Sequence, residues 1–219
     1  MKLLEDMLEH KISVNVVIFN MMMDLVFKEG RASEALKFGE GMSLFNVILE
    51  NIEVSADVQT FNIMVDALCK EGMIKEAHKL LELMIQKGVK PDPVTLNSLM
   101  DGYCLQGDMR NAMEVFYSSG QEPNARTYNI LINGYCKSKR LDEAFSHFRG
   151  MSKHKGLASD TITYSTLIGG LCKVGRVSDA KELFNEMQQN GSKPSIFTYG
   201  ILIDGLCVRP GELQRLQSV

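Results

Sequence analysis

Tryptophan is absent from these 219 residues, and the aromatic share is only 7%. A core with few large rings is filled mostly by aliphatic side chains and by the 14 methionines, whose unbranched thioethers suit irregular gaps between helices. No run of 18 apolar residues occurs, so no stretch reads as a membrane-spanning helix and no membrane partner is expected. Charge of one sign is not in excess either. The formal net charge is -3 and the pI about 5.9, which counts against non-specific nucleic-acid binding, since that rests on Lys and Arg neutralising phosphates. A whole-chain sum still leaves room for a locally positive groove. With 45% apolar and 23% charged residues the chain is neither disordered nor fibrous in character.

The signatures of catalysis and metal binding are missing as well. There is no nucleophile elbow, no glycine-rich phosphate loop with its lysine and no acid–base pair. His10, His78, His147 and His154 show no metal-ligand spacing. The five cysteines form no C-x-x-C pair, and their odd number argues against a disulfide framework. The expectation is a non-enzyme without cofactor or metal. The first residues, MKLLEDMLEH, read as a charged amphipathic helix and not as a signal peptide or an Arg- and Ser-rich import lead.

What is present is a repeat. The stretches VVIFNMMMDLVFKEG, VQTFNIMVDALCKEG, PVTLNSLMDGYCLQG, ARTYNILINGYCKSK, TITYSTLIGGLCKVG and IFTYGILIDGLCVRP align, starting at Val16, Val58, Pro93, Ala125, Thr161 and Ile196. The steps between them are 42, 35, 32, 36 and 35 residues. The first five are each followed by a block holding an alanine: Ala35, Ala77, Ala112, Ala144 and Ala180. In the repeat from Val58, Phe61, Met64, Val65, Leu68 and Cys69 recur three or four residues apart, which predicts one helical face. Gly72 breaks it, and Ala77, Leu80, Leu81 and Met84 make a second face. Asp92 before Pro93 reads as an N-cap and first-turn proline. Each repeat is therefore a helical hairpin, and hairpins that cannot bury an apolar face alone must stack into an all-α solenoid. Cys69, Cys104, Cys136, Cys172 and Cys207 share one register and are expected to be small buried hydrophobes.

The expected organisation is a partial repeat over 1–15, a repeat with an insertion over 16–57, and a repeat over 58–92. A shortened repeat follows over 93–124, then repeats over 125–160 and 161–195, and a truncated one over 196–219. The insertion falls around Gly39 to Val47, the shortening at Ser118-Ser119-Gly120, and Pro210-Gly211 stands where other repeats turn. Lys139 occupies a place where sister repeats carry glycine. Both ends stop inside a repeat, so fraying or end-to-end self-association is expected there. A basic run, Arg126, Lys137, Lys139, Arg140, Arg149, Lys153 and Lys155 against Asp142 and Glu143, fits either a solvated face or a phosphate contact.

The T-Y-N-x-L-I-x-G-x-C-K block, the alanine-bearing second helix and the G-x-x-P-D ending closely resemble the pentatricopeptide repeat proteins, most of all the restorer-like P-class of plant organelles. The related tetratricopeptide repeat wants a tryptophan in its first helix, which this chain lacks. The resemblance implies a right-handed α-solenoid that binds single-stranded RNA in mitochondria or plastids, one base per repeat. It implies base-reading roles for Asn20, Asn62, Asn97, Asn129 and Ser165, paired with the repeat-ending Asp57, Asp92, Asn124, Asp160 and Ser195. It places Val17, Gln59, Val94, Arg126 and Ile162, with Phe197 in the last repeat, against base faces. The implied preference is U-U-(C or U)-U, read 5′ to 3′ along the chain, with the Ser165 and Ser195 pair undefined and Gly200 silent.

The chemistry is consistent with this, because Asn offers donors and acceptors, ionised Asp acceptors only, and unpaired bases expose their Watson–Crick edges. Local capping near a helix start explains the asparagines too. The implied function is an adaptor for organellar transcript processing, stability or translation, with any cleavage or editing supplied by partner processing factors. A protein-binding scaffold and a truncated remnant of a longer repeat protein are the alternatives.

Overall fold

The computed structural model describes Met21 and residues 57–118, 122–153 and 156–207. Asn20, Val17, the insertion around Gly39 to Val47, Ser119-Gly120, His10, His154, Lys155 and Pro210-Gly211 lie outside the described residues. Among the described residues every regular element is an α-helix, and the fold is an all-α solenoid of helical repeats. No helix among them is long and apolar enough to cross a membrane. The helices are α1 Val58–Lys70, α2 Ile74–Gln86, α3 Pro93–Leu105, α4 Met109–Ser118, α5 Ala125–Lys137, α6 Leu141–Lys153, α7 Thr161–Lys173, α8 Val177–Gln189 and α9 Ile196–Cys207. They belong to two compact bodies, Met1–Gly102 and Tyr103–Val219.

Within the first body α1 packs on α2. The faces expected from the spacing are the ones buried: Phe61, Met64, Val65, Leu68 and Cys69 on α1, and Ala77, Leu80, Leu81 and Met84 on α2. Within the second body α5, α7 and α9 pack in sequence, α5 and α7 also lie against their own second helices α6 and α8, and α4 lies against α5. α4 has 10 residues where α2, α6 and α8 have 13, in the repeat whose sequence is short. His147 of α6 stacks on Tyr135, centroids 5.2 Å apart and 17° between planes, and burial lowers its pKa from the ordinary value, so it serves as a neutral packing group.

Successive first helices approach each other through a glycine set against a cysteine of the preceding repeat. A Cβ added at Gly102 would lie 2.8 Å from Cys69 Sγ, one at Gly134 2.6 Å from Cys104 Sγ, and one at Gly170 2.7 Å from Cys136 Sγ. At Gly205 it would collide with Cys172 Sγ. The cysteines are free, four of them are buried, and Cys207 is exposed. Burial pushes the Cys69 thiol up to about 12 and the Cys136 thiol to about 11, so both stay protonated and unreactive. The expected packing role is the observed one for Cys69, Cys104, Cys136 and Cys172, whose small size lets the next helix approach, whereas Cys207, expected to be buried like its sisters, is exposed.

The helix-ending turns use the left-handed region at Gly72, Gly107 and Gly175, with φ between 75° and 79°, whereas Lys139 adopts φ 59° with a side chain. Three substitutions test the backbone and packing. Replacing Lys139 by Gly relieves that conformation and raises stability by about 0.5–1 kcal/mol in chemical denaturation. Gly134→Ala forces a Cβ into Cys104 and Met109 and is expected to cost about 1–3 kcal/mol. Gly200→Ala, made in open space within α9, gains up to about 1 kcal/mol of helix propensity in the same assay.

Candidate functional site

The close approach of first helices decides which polar groups meet. Each first helix begins with a cap supplied by the last residue of the preceding repeat. Asp57 accepts from Thr60 N–H at 2.8 Å, Asn124 from Thr127 N–H at 3.0 Å, and Asp160 from Thr163 N–H at 2.8 Å. Asp92 accepts from the N–H groups of Val94 and Thr95, both at 2.9 Å. Ser195 accepts from Thr198 N–H at 3.2 Å. The local-capping account therefore applies to the repeat-ending residues. Asn62 and Asn129, one turn into their helices, do not cap; they reach across to the next repeat.

Asn62 Nδ2 donates to both carboxylate oxygens of Asp92 at 3.1 Å, and Thr95 Oγ1 donates to Asn62 Oδ1. The same triangle recurs one body later. Asn129 Nδ2 faces Asp160 Oδ1 at 3.5 Å, and Thr163 Oγ1 donates to Asn129 Oδ1 at 2.6 Å. In the following repeat the groups are all hydroxyls: Ser165 Oγ lies 2.8 Å and Ser195 Oγ 3.0 Å from Thr198 Oγ1. Ser165 is buried and Asn62 and Asn129 are half-exposed, so the serine repeat presents a recessed hydroxyl where the repeats of Asn62 and Asn129 present an amide edge. Asn97 is buried on α3, and Asn124 is exposed at the start of α5. Gly200 has open space around it and contributes no side chain.

Thr60, Thr95, Thr127, Thr163 and Thr198 take part in this arrangement, and the sequence reading assigned them no role. Their signal was visible as a threonine three residues after each repeat-ending Asp, Asn or Ser, the spacing of a capping box. The positions expected to flank bases are exposed. Val94 is 51%, Ile162 63% and Phe197 71% accessible, an unusual place for apolar side chains, and Gln59 and Arg126 are exposed too. In the second body a groove of about 500 Å³ runs over α5, α7 and α9, lined by Ser165, Phe197, Lys137, Lys173, Asn133 and Asp204 among others. Lys70, at the same register on α1, is held by Asp66 at 2.5 Å. The residues four before Lys137 and Lys173 are Asn133 and Gly169, so neither lysine has that carboxylate partner on its own helix. Within the basic run Arg140 is engaged by Glu143 at 2.6 Å and lies over Tyr135, so it is a structural cation.

Partial burial alone would raise the Asp92 carboxyl. Hydrogen bonds from the Thr95 N–H, the Asn62 amide, the Thr95 hydroxyl and the Val94 N–H outweigh it and hold the group below its ordinary value of 3.8. A folded-state pKa below the unfolded one means stabilisation that is fully present above the unfolded value and lost as pH falls through the folded one. Asp92→Ala is therefore expected to cost about 1 kcal/mol near neutrality. The gap to the unsubstituted protein should narrow as pH drops below about 3.8, read from denaturation midpoints across pH.

The comparisons with known proteins fit this arrangement. The PPR repeat family is matched by residues 56–105, 91–132, 123–173 and 159–208, and a further PPR repeat by 17–47. The pentatricopeptide repeat protein PPR10, solved in complex with an 18-nt psaJ RNA element, is 29% identical with a TM-score of 0.73, covering 88% of this chain and 28% of its own. PPR10 from maize is 27% identical over 98% of this chain and 29% of its own, at the same TM-score of 0.73. The PPR domain of Arabidopsis thaliana protein-only RNase P 1, solved in complex with tRNA, shares the fold at 15% identity and a TM-score of 0.63, over 86% of this chain and 97% of its own. No curated protein matches in sequence. The chain spans less than a third of the length of PPR10. With repeat matches running through both compact bodies, the chain belongs to the pentatricopeptide repeat family.

Proposed function

We propose that this chain is a binding module for single-stranded RNA, with bases docked along its first helices. It reads one base per repeat through Asn62 with Asp92 and Asn129 with Asp160, whose amides are half-exposed, and the family resemblance assigns the same role to Asn97, buried on α3, and to Asn124. Asn20 with Asp57 supplies a further position. The observation that carries the reading is the recurrence of a half-exposed amide held by the cap of the next helix, with an exposed apolar residue, Val94 or Ile162, two positions after that cap. A half-exposed amide offers the base a donor and an acceptor, and side chains such as Val94 and Ile162 can wedge between bases. Lys137 and Lys173 supply positive charge in the groove over α5, α7 and α9. PPR10 bound to its RNA element supports the same partner class.

The preferred sequence is U-U-(C or U)-U, and the chain acts as an adaptor rather than a catalyst, in transcript processing, stability or translation. Mitochondrion or plastid is the compartment carried by the family resemblance, and partner processing factors would supply any cleavage or editing.

The test is equilibrium binding of short RNAs at several salt concentrations. RNA carrying U-U-C-U should bind more tightly than A-A-G-A and more tightly than the corresponding DNA. Asn62→Ala with Asn129→Ala should remove about 1–3 kcal/mol of discrimination at each position read. Lys137→Ala and Lys173→Ala should leave base preference alone while each lowers the salt slope by about 0.7. Equal weak binding to every probe would overturn the reading in favour of a protein-binding scaffold.

A further inference from the structure

The hydrogen-bond network around Asn62 admits only one assignment of its protons. Asp92 is an ionised carboxylate and therefore accepts only, so the Asn62 atom 3.1 Å from both of its oxygens is the amide nitrogen. The carbonyl oxygen then faces Thr95 Oγ1. That hydroxyl has a single proton and a choice of acceptors, since Asp92 Oδ1 lies 3.1 Å away. Were the proton turned to Asp92, Asn62 Oδ1 would meet a hydroxyl lone pair, two acceptors in contact. The proton therefore goes to the asparagine. Asp92 N–H, 3.3 Å from Thr95 Oγ1, donates to the hydroxyl and leaves it free to donate onward.

The second triangle repeats the logic with different weights. Thr163 Oγ1 lies 2.6 Å from Asn129 Oδ1, while the amide nitrogen is 3.5 Å from Asp160. Asp160 N–H sits 3.4 Å from the same hydroxyl and Asp160 Oδ1 2.9 Å from it. In this repeat the threonine, more than the carboxylate, fixes the amide. Thr95 and Thr163 are both 0% exposed, so neither can touch a docked base itself. Each asparagine keeps one N–H and one oxygen lone pair uncommitted among the described contacts, and the threonine determines which side of the amide carries which. A repeat with serine in place of asparagine has no such orientation to fix: Thr198 Oγ1 accepts from Ser195 N–H and otherwise meets the hydroxyls of Ser165 and Ser195.

We infer that Thr95 and Thr163 are specificity-positioning residues for the repeats that precede them. The readout element is then a triad spanning two repeats: asparagine from one, cap residue at its end, and buried threonine from the next. This inference rests on the base-reading function proposed above and adds that a repeat cannot be recoded without regard to its successor.

The experiment compares Thr95→Val, which keeps the shape and removes the proton, with Thr95→Ser, which keeps the proton, and with Asn62→Ala. Each protein is titrated with RNAs carrying U-U-C-U, U-A-C-U and U-U-C-A, with thermal unfolding followed in parallel. Thr95→Val should lower the preference for U over A at the second position by about threefold to tenfold, the worth of one hydrogen bond, and leave the fourth position unchanged. Thr95→Ser should retain the preference, and Thr163→Val should affect the fourth position alone. A folded Thr95→Val that keeps full preference while Asn62→Ala loses it would overturn the positioning role, and so would an equal loss of affinity for all three RNAs. An Asn62→Ala protein with unchanged preference would instead overturn base reading itself. A measurement on the unsubstituted protein guards against a valine variant that does not fold. The Asn62 and Asn129 side-chain amides should each give a single pair of nuclear magnetic resonance signals, and signals averaged over two orientations would contradict the inference.

Discussion

The glycine-against-cysteine contact between successive first helices is the constraint on which the site depends. Without a Cβ at Gly102, α3 comes close enough to α1 for its cap and first turn to reach Asn62. Gly170 against Cys136 does the same for α7 and Asn129, and Gly205 against Cys172 for α9 and Ser165. Polar groups 30 or more positions apart in sequence thereby meet at hydrogen-bond distance in each pair. A bulkier side chain at either partner would separate the helices, and the amide edge would lose the groups that orient it.

The caps serve two purposes at once. Asp57, Asp92, Asn124 and Asp160 satisfy backbone N–H groups at the start of the next helix, and the side chains of Asp92 and Asp160 also lie beside Asn62 and Asn129 of their own repeats. For Asp92 this concentrates enough donors on one carboxylate to keep it ionised despite partial burial. Helix capping and the orientation of the amide edge thus share atoms. The serine repeat shows the other outcome: the cap survives with Ser195, but the amide edge is gone and Ser165 is recessed.

Much of this was legible in the sequence, because a repeat shows the same constraint several times. The hairpin faces of α1 and α2, the glycine turn after α1, the Asp92-Pro93 helix start and the buried cysteines all follow from period and residue size. Lys139 stood out because its sister positions are glycines, and its left-handed backbone is the physical reason. The asparagine register was visible, but not what it touches. Threonine was passed over because a capping threonine looks local in sequence, and its second bond goes to the preceding repeat. The helical glycines looked like ordinary members of the block, since close helix approach leaves no periodic signal of its own. The basic run was ambiguous because contiguous charges point different ways on helices: Lys137 enters the groove, while Arg140 binds Glu143.

The most direct test of the account is a chemical-shift map of the isotopically labelled protein titrated with U-U-C-U RNA. The account predicts changes concentrated at the side-chain amides of Asn62 and Asn129, at the methyl groups of Val94 and Ile162, and at Lys137 and Lys173. The outer faces of α2, α6 and α8 should stay unperturbed. Changes spread over those second helices, or no change at saturating RNA, would contradict it.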